Sequence, residues 1–178
     1  MGFHHVAFAT NDLEATHRFY TEAMGFTLVK SSVAPTDAPG GWAKHVFYDT
    51  GGDGLIAFWD LHDDRMVDFD PALSLGLGLQ PWVNHIAFSA TDMDDIERRL
   101  QRWLDGGHDA MEIDHGWCHS IYTMDPNRVL VEFCTDTAPY TAGDRDEALR
   151  VITAPLDELE LEEMRVPKFH KAPAPARV

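Results

Sequence analysis

One stretch of the chain decides the fold: residues 5–13 read HVAFATNDL, and residues 85–93 read HIAFSATDM. In both copies a short apolar segment precedes an aspartate, Asp12 or Asp92, whose carboxylate is suited to cap the first turn of a helix. The second copy begins 80 residues after the first. This repetition predicts two equivalent modules, each of which begins with a strand and a helix.

Two further strands complete each module. The segments align at an offset of 74 residues: His45–Tyr48 with His119–Tyr122, and Leu55–Trp59 with Val129–Phe133. This alignment places Phe58 opposite Glu132. Each module therefore has the order β-α-β-β-β, and we predict an α+β fold in which the modules pair into one curved, cleft-forming mixed sheet with helices outside.

The repeat also sets the predicted domain boundaries. Residues 1–136 form a single domain, with module one at 3–60, a linker at 60–81 and module two at 82–136. The linker begins with a charged run and could cover the cleft. After residue 136 the repeat ends, and residues 137–178 are expected to form a helical extension with a Pro- and Ala-rich tail.

The composition excludes several classes of partner. Lys and Arg number 14 against 30 Asp and Glu, which gives a formal net charge of -16 at pH 7. Binding to nucleic acid or to an anionic membrane surface is not expected at this charge. No apolar run approaches the ~20 residues of a membrane span. From this lack of a membrane span we expect a cytoplasmic protein. Cys118 and Cys134 match no metal or redox spacing.

Three residues form a candidate metal site. Alternation along the strands directs His5 and His85 to one face of each module, beside small residues. Glu132 lies in an apolar strand, where a carboxylate must be paired, protonated or bound to a cation. A lone histidine at a strand start is more often structural, but repetition at equivalent positions favours a ligand. Two histidines and one carboxylate leave positions open on Fe(II) for substrate and O2.

The two HxAF segments and the late segment DPNRVLVEF resemble the vicinal oxygen chelate superfamily, over residues 3–136. This superfamily includes glyoxalase I, fosfomycin- and bleomycin-resistance proteins, methylmalonyl-CoA epimerase and extradiol dioxygenases. Residues 113–132 are similar to the extradiol ring-cleavage signature, with His115, Tyr122 and Glu132 at its matching positions. The sequence departs from the signature at Arg128, where Gly or Pro is preferred.

The resemblance implies an Fe(II)- or Mn(II)-dependent dioxygenase that acts with O2 on a catechol-like aromatic diol. Tyr122 would hold a substrate oxygen, and His115 or His119 would be the acid/base residue. Aromatic side chains would line the cleft for a flat substrate: Phe47, Phe58 and Trp117. The fourth metal ligand of glyoxalase I-like members falls at Phe58, which cannot bind a metal. Extradiol enzymes place an acid/base histidine near the same position, and Phe58 does not supply it either.

Two alternatives stay open at this point, and we expect a homodimer in each case. The first is an isomerase, epimerase or lyase that stabilises an enediolate with Ni(II), Co(II), Zn(II) or Mn(II). The second is a non-catalytic binding protein of the bleomycin-resistance kind. The three candidate ligands argue against the second alternative, because a cleft that only sequesters a molecule does not need them.

Overall fold

The computed structural model describes residues 2–52, 54–66 and 68–174. Module one contains β1 (His5–Thr10), α1 (Leu13–Arg18) continued by a π-helical turn (Phe19–Ala23), β2 (Thr27–Pro35), β3 (Trp42–Asp49) and β4 (Leu55–His62). Module two contains β5 (His85–Ser89), α2 (Met93–Asp105), β6 (Ala110–Asp114), β7 (Cys118–Met124) and β8 (Leu130–Asp136). The extension contains α3 (Ala142–Thr153) and β9 (Lys168–His170). The end of the predicted tail, 175–178, lies outside the described residues.

The strands form two sheets with matching topology. The first has the order β1-β4-β3-β2, and the second has the order β5-β8-β7-β6-β9. In each module the first strand runs parallel to the last one, and the other pairs within the module are antiparallel. The predicted α+β class with two βαβββ modules is confirmed. The single curved sheet that we expected is, within one chain, two separate sheets.

The strand register corrects the alignment of the two modules. Ala7 pairs with Ala57 in module one, and Ala87 pairs with Glu132 in module two. Since Ala7 and Ala87 correspond in the repeat, the residue that matches Glu132 is Ala57, and the predicted match with Phe58 is wrong. A shift of one residue reverses the face on which a side chain lies. The Phe58 side chain accordingly lies in the core, where it is 1% exposed.

Both modules contribute to one hydrophobic core on the helix side of the sheets. Phe26 of module one lies 4.9 Å from Phe88 of module two between ring centroids. The amphipathic helix α2 buries Ile96 and Trp103 in this core. Because the helix-side faces are packed together, the opposite faces of the two sheets are directed away from the shared core.

A buried polar group joins the modules. Asp125, in the β7–β8 turn, accepts hydrogen bonds from the backbone N–H groups of Asn127 and Val129, both at 2.8 Å. The Tyr20 hydroxyl of module one donates to the same carboxylate at 3.1 Å. Burial raises the pKa of Asp125, although these hydrogen bonds act in the other direction. The turn thus fixes the relative position of the two modules.

The extension returns to the sheet of module two. Helix α3 begins with a capping box between Thr141 and Asp144 and has no buried residue. Strand β9 then pairs antiparallel with β6, which the sequence did not predict. Within the described part of the chain, no helix has the length and apolar character required to cross a bilayer.

Candidate metal centre

The carboxylate half of the candidate site lies on the open face of module two. His85 Nε2 and Glu132 Oε2 are 3.1 Å apart, and the Glu132 side chain is 6% exposed. His85 Nδ1 lies 2.8 Å from the Trp82 carbonyl oxygen, so this nitrogen carries a proton and donates it. In neutral His85 the lone pair of Nε2 then faces a carboxylate. Such a pair requires a proton shared between its two members or a cation beside them, and a divalent metal fits this donor set.

Tyr122 lies beside these two ligands. It is the cross-strand neighbour of Glu132, and its hydroxyl is 2.9 Å from His115 Nε2. Burial raises the pKa of Tyr122 well above its usual range, and the Glu132 charge adds to this effect. The phenol therefore stays protonated at neutral pH and can donate a hydrogen bond. The structure thus brings together four of the predicted site residues: His85, Glu132, Tyr122 and His115.

His119 lies on the other face of the same sheet, so the structure does not bring this predicted acid/base residue together with His85 and Glu132. Its Nε2 contacts Glu112 Oε1 at 3.0 Å, and His170 Nε2 contacts the second oxygen of Glu112 at 2.6 Å. The cause is the alternation of side chains along β7, since His119 and Tyr122 are three positions apart and therefore lie on opposite faces.

The other half of the candidate site lies on the open face of module one. The His5 ring is 5.5 Å from the Phe47 ring and 6.3 Å from the His45 ring. His5 Nδ1 also lies 2.8 Å from His4 Nδ1. The predicted ligand His5 and the predicted lining residue Phe47 therefore lie next to each other, together with His45, which the sequence analysis did not select.

His45 is a strong candidate for a functional residue. Its ring stacks on Trp59 at 3.7 Å, with an interplanar angle of 13°. Its Nε2 atom is buried and has no hydrogen-bond partner among the described residues. Burial lowers the pKa of His45, and the neighbouring His5 lowers it further. Its position two residues before Phe47 was the available sequence signal, because these two side chains share a face of β3.

The two halves are not joined within one chain. Among the described residues, no three His, Cys, Asp or Glu side chains lie close enough to hold one metal ion. His5 belongs to the first sheet, whereas His85 and Glu132 belong to the second. The three-ligand set therefore stays a prediction, and it requires a further contact between the two open faces.

The predicted substrate-lining residues have three different locations. Phe47 lies on the open face of module one, beside His5. Phe58 lies in the core, so its predicted contact with substrate is wrong. Trp117 lies between β6 and β7, is half-exposed, and packs on Tyr140 of the extension with 5.5 Å between ring centroids.

Two βαβββ modules with a shared core and an open sheet face in each define the class of protein, that of the vicinal oxygen chelate fold. The chain belongs to the Glyoxalase/Bleomycin resistance protein/Dioxygenase superfamily, whose family model matches residues 2–133. This confirms the resemblance that the sequence motifs indicated.

Solved structures agree with this fold. A glyoxylase/bleomycin resistance protein/dioxygenase domain from Frankia sp. EAN1pec has 18% identity and a TM-score of 0.58, covering 76% of this chain and 98% of that one. The fosfomycin resistance protein FosX from Mesorhizobium loti has 23% identity and a TM-score of 0.53, covering 82% and 97%. FosX from Listeria monocytogenes has 19% identity and a TM-score of 0.51, covering 82% and 98%. No curated protein matches the chain.

Proposed function

We propose that the chain is an Fe(II)- or Mn(II)-dependent dioxygenase of the extradiol ring-cleavage type, acting on a catechol-like aromatic diol. The observation that carries this proposal is the contact between His85 Nε2 and Glu132 Oε2, with the Tyr122 hydroxyl on the same face. Ala57 occupies the position that matches Glu132, so module one adds no fourth carboxylate. More positions then remain for a bidentate diol and O2.

We propose further that the site forms between two copies of the chain in a homodimer. His5 of the partner subunit would complete the set begun by His85 and Glu132. Three observations support this arrangement: both open faces point away from the shared core, β1 and β5 are edge strands, and Trp82 beside His85 is 66% exposed. Unpaired edges and exposed aromatic surface are features that a second subunit would cover.

The metal would supply Lewis acidity for the two hydroxyl groups of the diol and a binding position for O2. The Tyr122 hydroxyl would donate a hydrogen bond to a substrate oxygen as negative charge develops on it. His115 Nε2 holds that hydroxyl in place. His45 of the partner subunit, kept neutral by its lowered pKa, would accept a proton from the diol at Nε2. Phe47 of the partner subunit and Trp59 of the partner subunit would offer apolar surface to an aromatic ring.

Exchange of subunits tests where the site is formed. Chains with His5→Ala and chains with His85→Ala are each expected to lack metal at this site. In a mixed dimer, one of the two sites would keep all three ligands. Random exchange should therefore restore metal binding to about one quarter of the wild-type capacity. Exchange of His5→Ala with itself is the control. No restoration, with mixed dimers verified by two affinity tags, would refute a site formed between subunits.

Oxygen consumption tests the reaction. Protein purified without chelator is analysed for metals, loaded anaerobically with Fe(II), and mixed with a panel of catechols. We expect O2 uptake with a yellow ring-cleavage product, which His45→Ala and His115→Ala reduce and which His119→Ala leaves unchanged. Turnover of a hemithioacetal without O2 uptake would instead indicate an isomerase or lyase.

A further inference from the structure

A second cavity lies on the helix side of the sheets, away from the candidate metal centre. It has a volume of about 340 Å³ and is formed by helix α2 together with Gly25, Thr27 and residues 49–51 of module one. Arg98, Arg99 and Arg102 all line it. They concentrate positive charge at one cavity of a chain that has a formal net charge of -16. We therefore considered what this cavity binds.

One of the three arginines, Arg99, is held in a fixed position by its contacts. Arg99 Nε donates to Asp95 at 2.9 Å, and its guanidinium carbon lies 3.9 Å from the centre of the Phe133 ring. Arg98 shares the Asp95 carboxylate at 3.3 Å, but its side chain is 65% exposed. Asp95 thus neutralises one of these two guanidinium groups, and Arg98 keeps most of its N–H donors available.

Arg102 lies across the module boundary against Gly25. A Cβ atom at Gly25 would lie 1.9 Å from a guanidinium nitrogen of Arg102, and Gly25 has φ +75°. Glycine at this position therefore allows the guanidinium to lie directly on the backbone. In the described part of the chain, Arg102 makes no ion pair. The remaining carboxylate of the cavity, Asp49, already accepts the Gly51 N–H at 2.8 Å.

We propose that this cavity binds a phosphate group, either free or as a monoester of a small molecule. Arg98 and Arg102 would hold the phosphate oxygens, and Arg99 would support them as a fixed cation. The planar fork of guanidinium donors matches the oxygens of a phosphate, which can accept paired hydrogen bonds. Because residues of both modules line the cavity, bound phosphate would also connect the modules.

Isothermal titration tests this proposal with inorganic phosphate and, separately, glycerol 3-phosphate. Sodium chloride keeps the ionic strength constant, and the protein is the Glu132→Gln full-length chain, so that the candidate metal centre does not contribute. We expect saturable binding of one phosphate per chain, with a dissociation constant of about 1 mM or below. Tighter binding of the ester than of inorganic phosphate would identify the monoester as the ligand, and equal binding would identify the free anion.

Matched variants locate the binding. Arg102→Gln and Arg98→Gln should each weaken phosphate binding at least about tenfold, because each removes charge-assisted hydrogen bonds. Arg102→Lys should restore part of the loss, since it keeps the charge without the fork. Arg145→Gln on α3 is the control and should bind as the unchanged chain does. Absence of saturable binding, or equal binding by Arg102→Gln with its thermal unfolding unchanged, would overturn the proposal.

Discussion

The two modules share a backbone plan but carry different chemistry on their open faces. Three positions correspond: His5 with His85, Phe47 with Tyr122, and Ala57 with Glu132. At these positions module one has a histidine and two apolar residues, whereas module two has a histidine, a phenol and a carboxylate. The core-facing neighbours remain apolar in both: Val46 with Ile121, Ile56 with Val131, and Phe58 with Phe133. A repeated fold can therefore specialise one face of a sheet while the other face continues to form the core.

The largest effect on metal affinity is expected from Glu132, whose counterpart in module one is Ala57. Glu132→Gln keeps the size of the side chain but removes its charge, so metal affinity should fall by about 100-fold or more, beyond the range for residues that only support a ligand. Elemental analysis and a metal titration measure this change. Glu112→Gln is the control on the opposite face of the same sheet. Equal metal binding by the Glu132→Gln chain would remove Glu132 from the site.

The second prediction exploits the corrected register of module one. Phe58→Glu places a carboxylate in the core and should lower the free energy of unfolding by about 4 kcal/mol or more. Ala57→Glu places it on the open face, beside His5, where it reproduces Glu132. That variant should remain folded, bind metal at least as tightly as the wild type, and lose O2-dependent activity because a coordination position is filled.

Chemical denaturation and metal titration of these two variants distinguish the registers. If Phe58→Glu were the variant that gained metal affinity, the alignment at an offset of 74 residues would be correct and the observed register would be contradicted. A loss of stability in both variants that metal does not reverse for Ala57→Glu would show that module one contributes no ligand position on this strand.

The order of strands and helices in the two modules could be predicted from the sequence because its strongest signals are periodic. The repeated HxAF segments and their capping aspartates predict equivalent strands and helices, and the structure contains both. The register of the later strands was misjudged because identical residue types, His45 and His119, were aligned. His45 in fact matches Ser120. In a strand, such a shift by one residue exchanges the two faces, and periodicity alone does not reveal it.

The site was only partly predictable for a related reason. His85, Glu132 and Tyr122 could be placed together because strand alternation and an apolar context are local properties of the sequence. The separation of His5 from them depends on how the modules pack, which is decided by distant contacts such as that of Tyr20 with Asp125. The contact of His170 with Glu112 is likewise set by the pairing of β9 with β6, which no local pattern indicated.

A third prediction concerns the aromatic position that differs between the modules. Tyr122→Phe removes the hydroxyl that would stabilise charge on the substrate, so kcat should fall by about 10- to 100-fold with metal binding unchanged. Phe47→Tyr makes the reciprocal change in module one and should alter kcat little. Steady-state O2 uptake measures both. An equal loss in the two variants would indicate that these positions contribute packing and that Tyr122 has no specific chemical role.

The smallest effect concerns two aspartates whose pKa values shift in opposite directions: Asp63, which follows β4 at the start of the linker, and Asp125 of module two. Burial raises the pKa of Asp125, so the stability it contributes is fully present below its unfolded-state pKa and is lost as the pH rises through its folded-state value. Hydrogen bonds from Arg65 and, to a smaller extent, from Thr36 hold the pKa of Asp63 well below its usual range. The stability that Asp63 contributes is therefore present above its unfolded-state pKa and is lost as the pH falls through its folded-state value.

Urea unfolding from pH 3 to pH 7 of wild type, Asp125→Asn and Asp63→Asn measures this difference. The advantage of wild type over Asp125→Asn should shrink as the pH rises, by less than about 1.4 kcal/mol per pH unit because one proton is involved. Its advantage over Asp63→Asn should shrink as the pH falls. The same sign of pH dependence in both variants would show that Asp125 is an ordinary ionised carboxylate in the folded protein. The hydrogen bonds from Tyr20 and from the turn would then outweigh the effect of burial on its pKa.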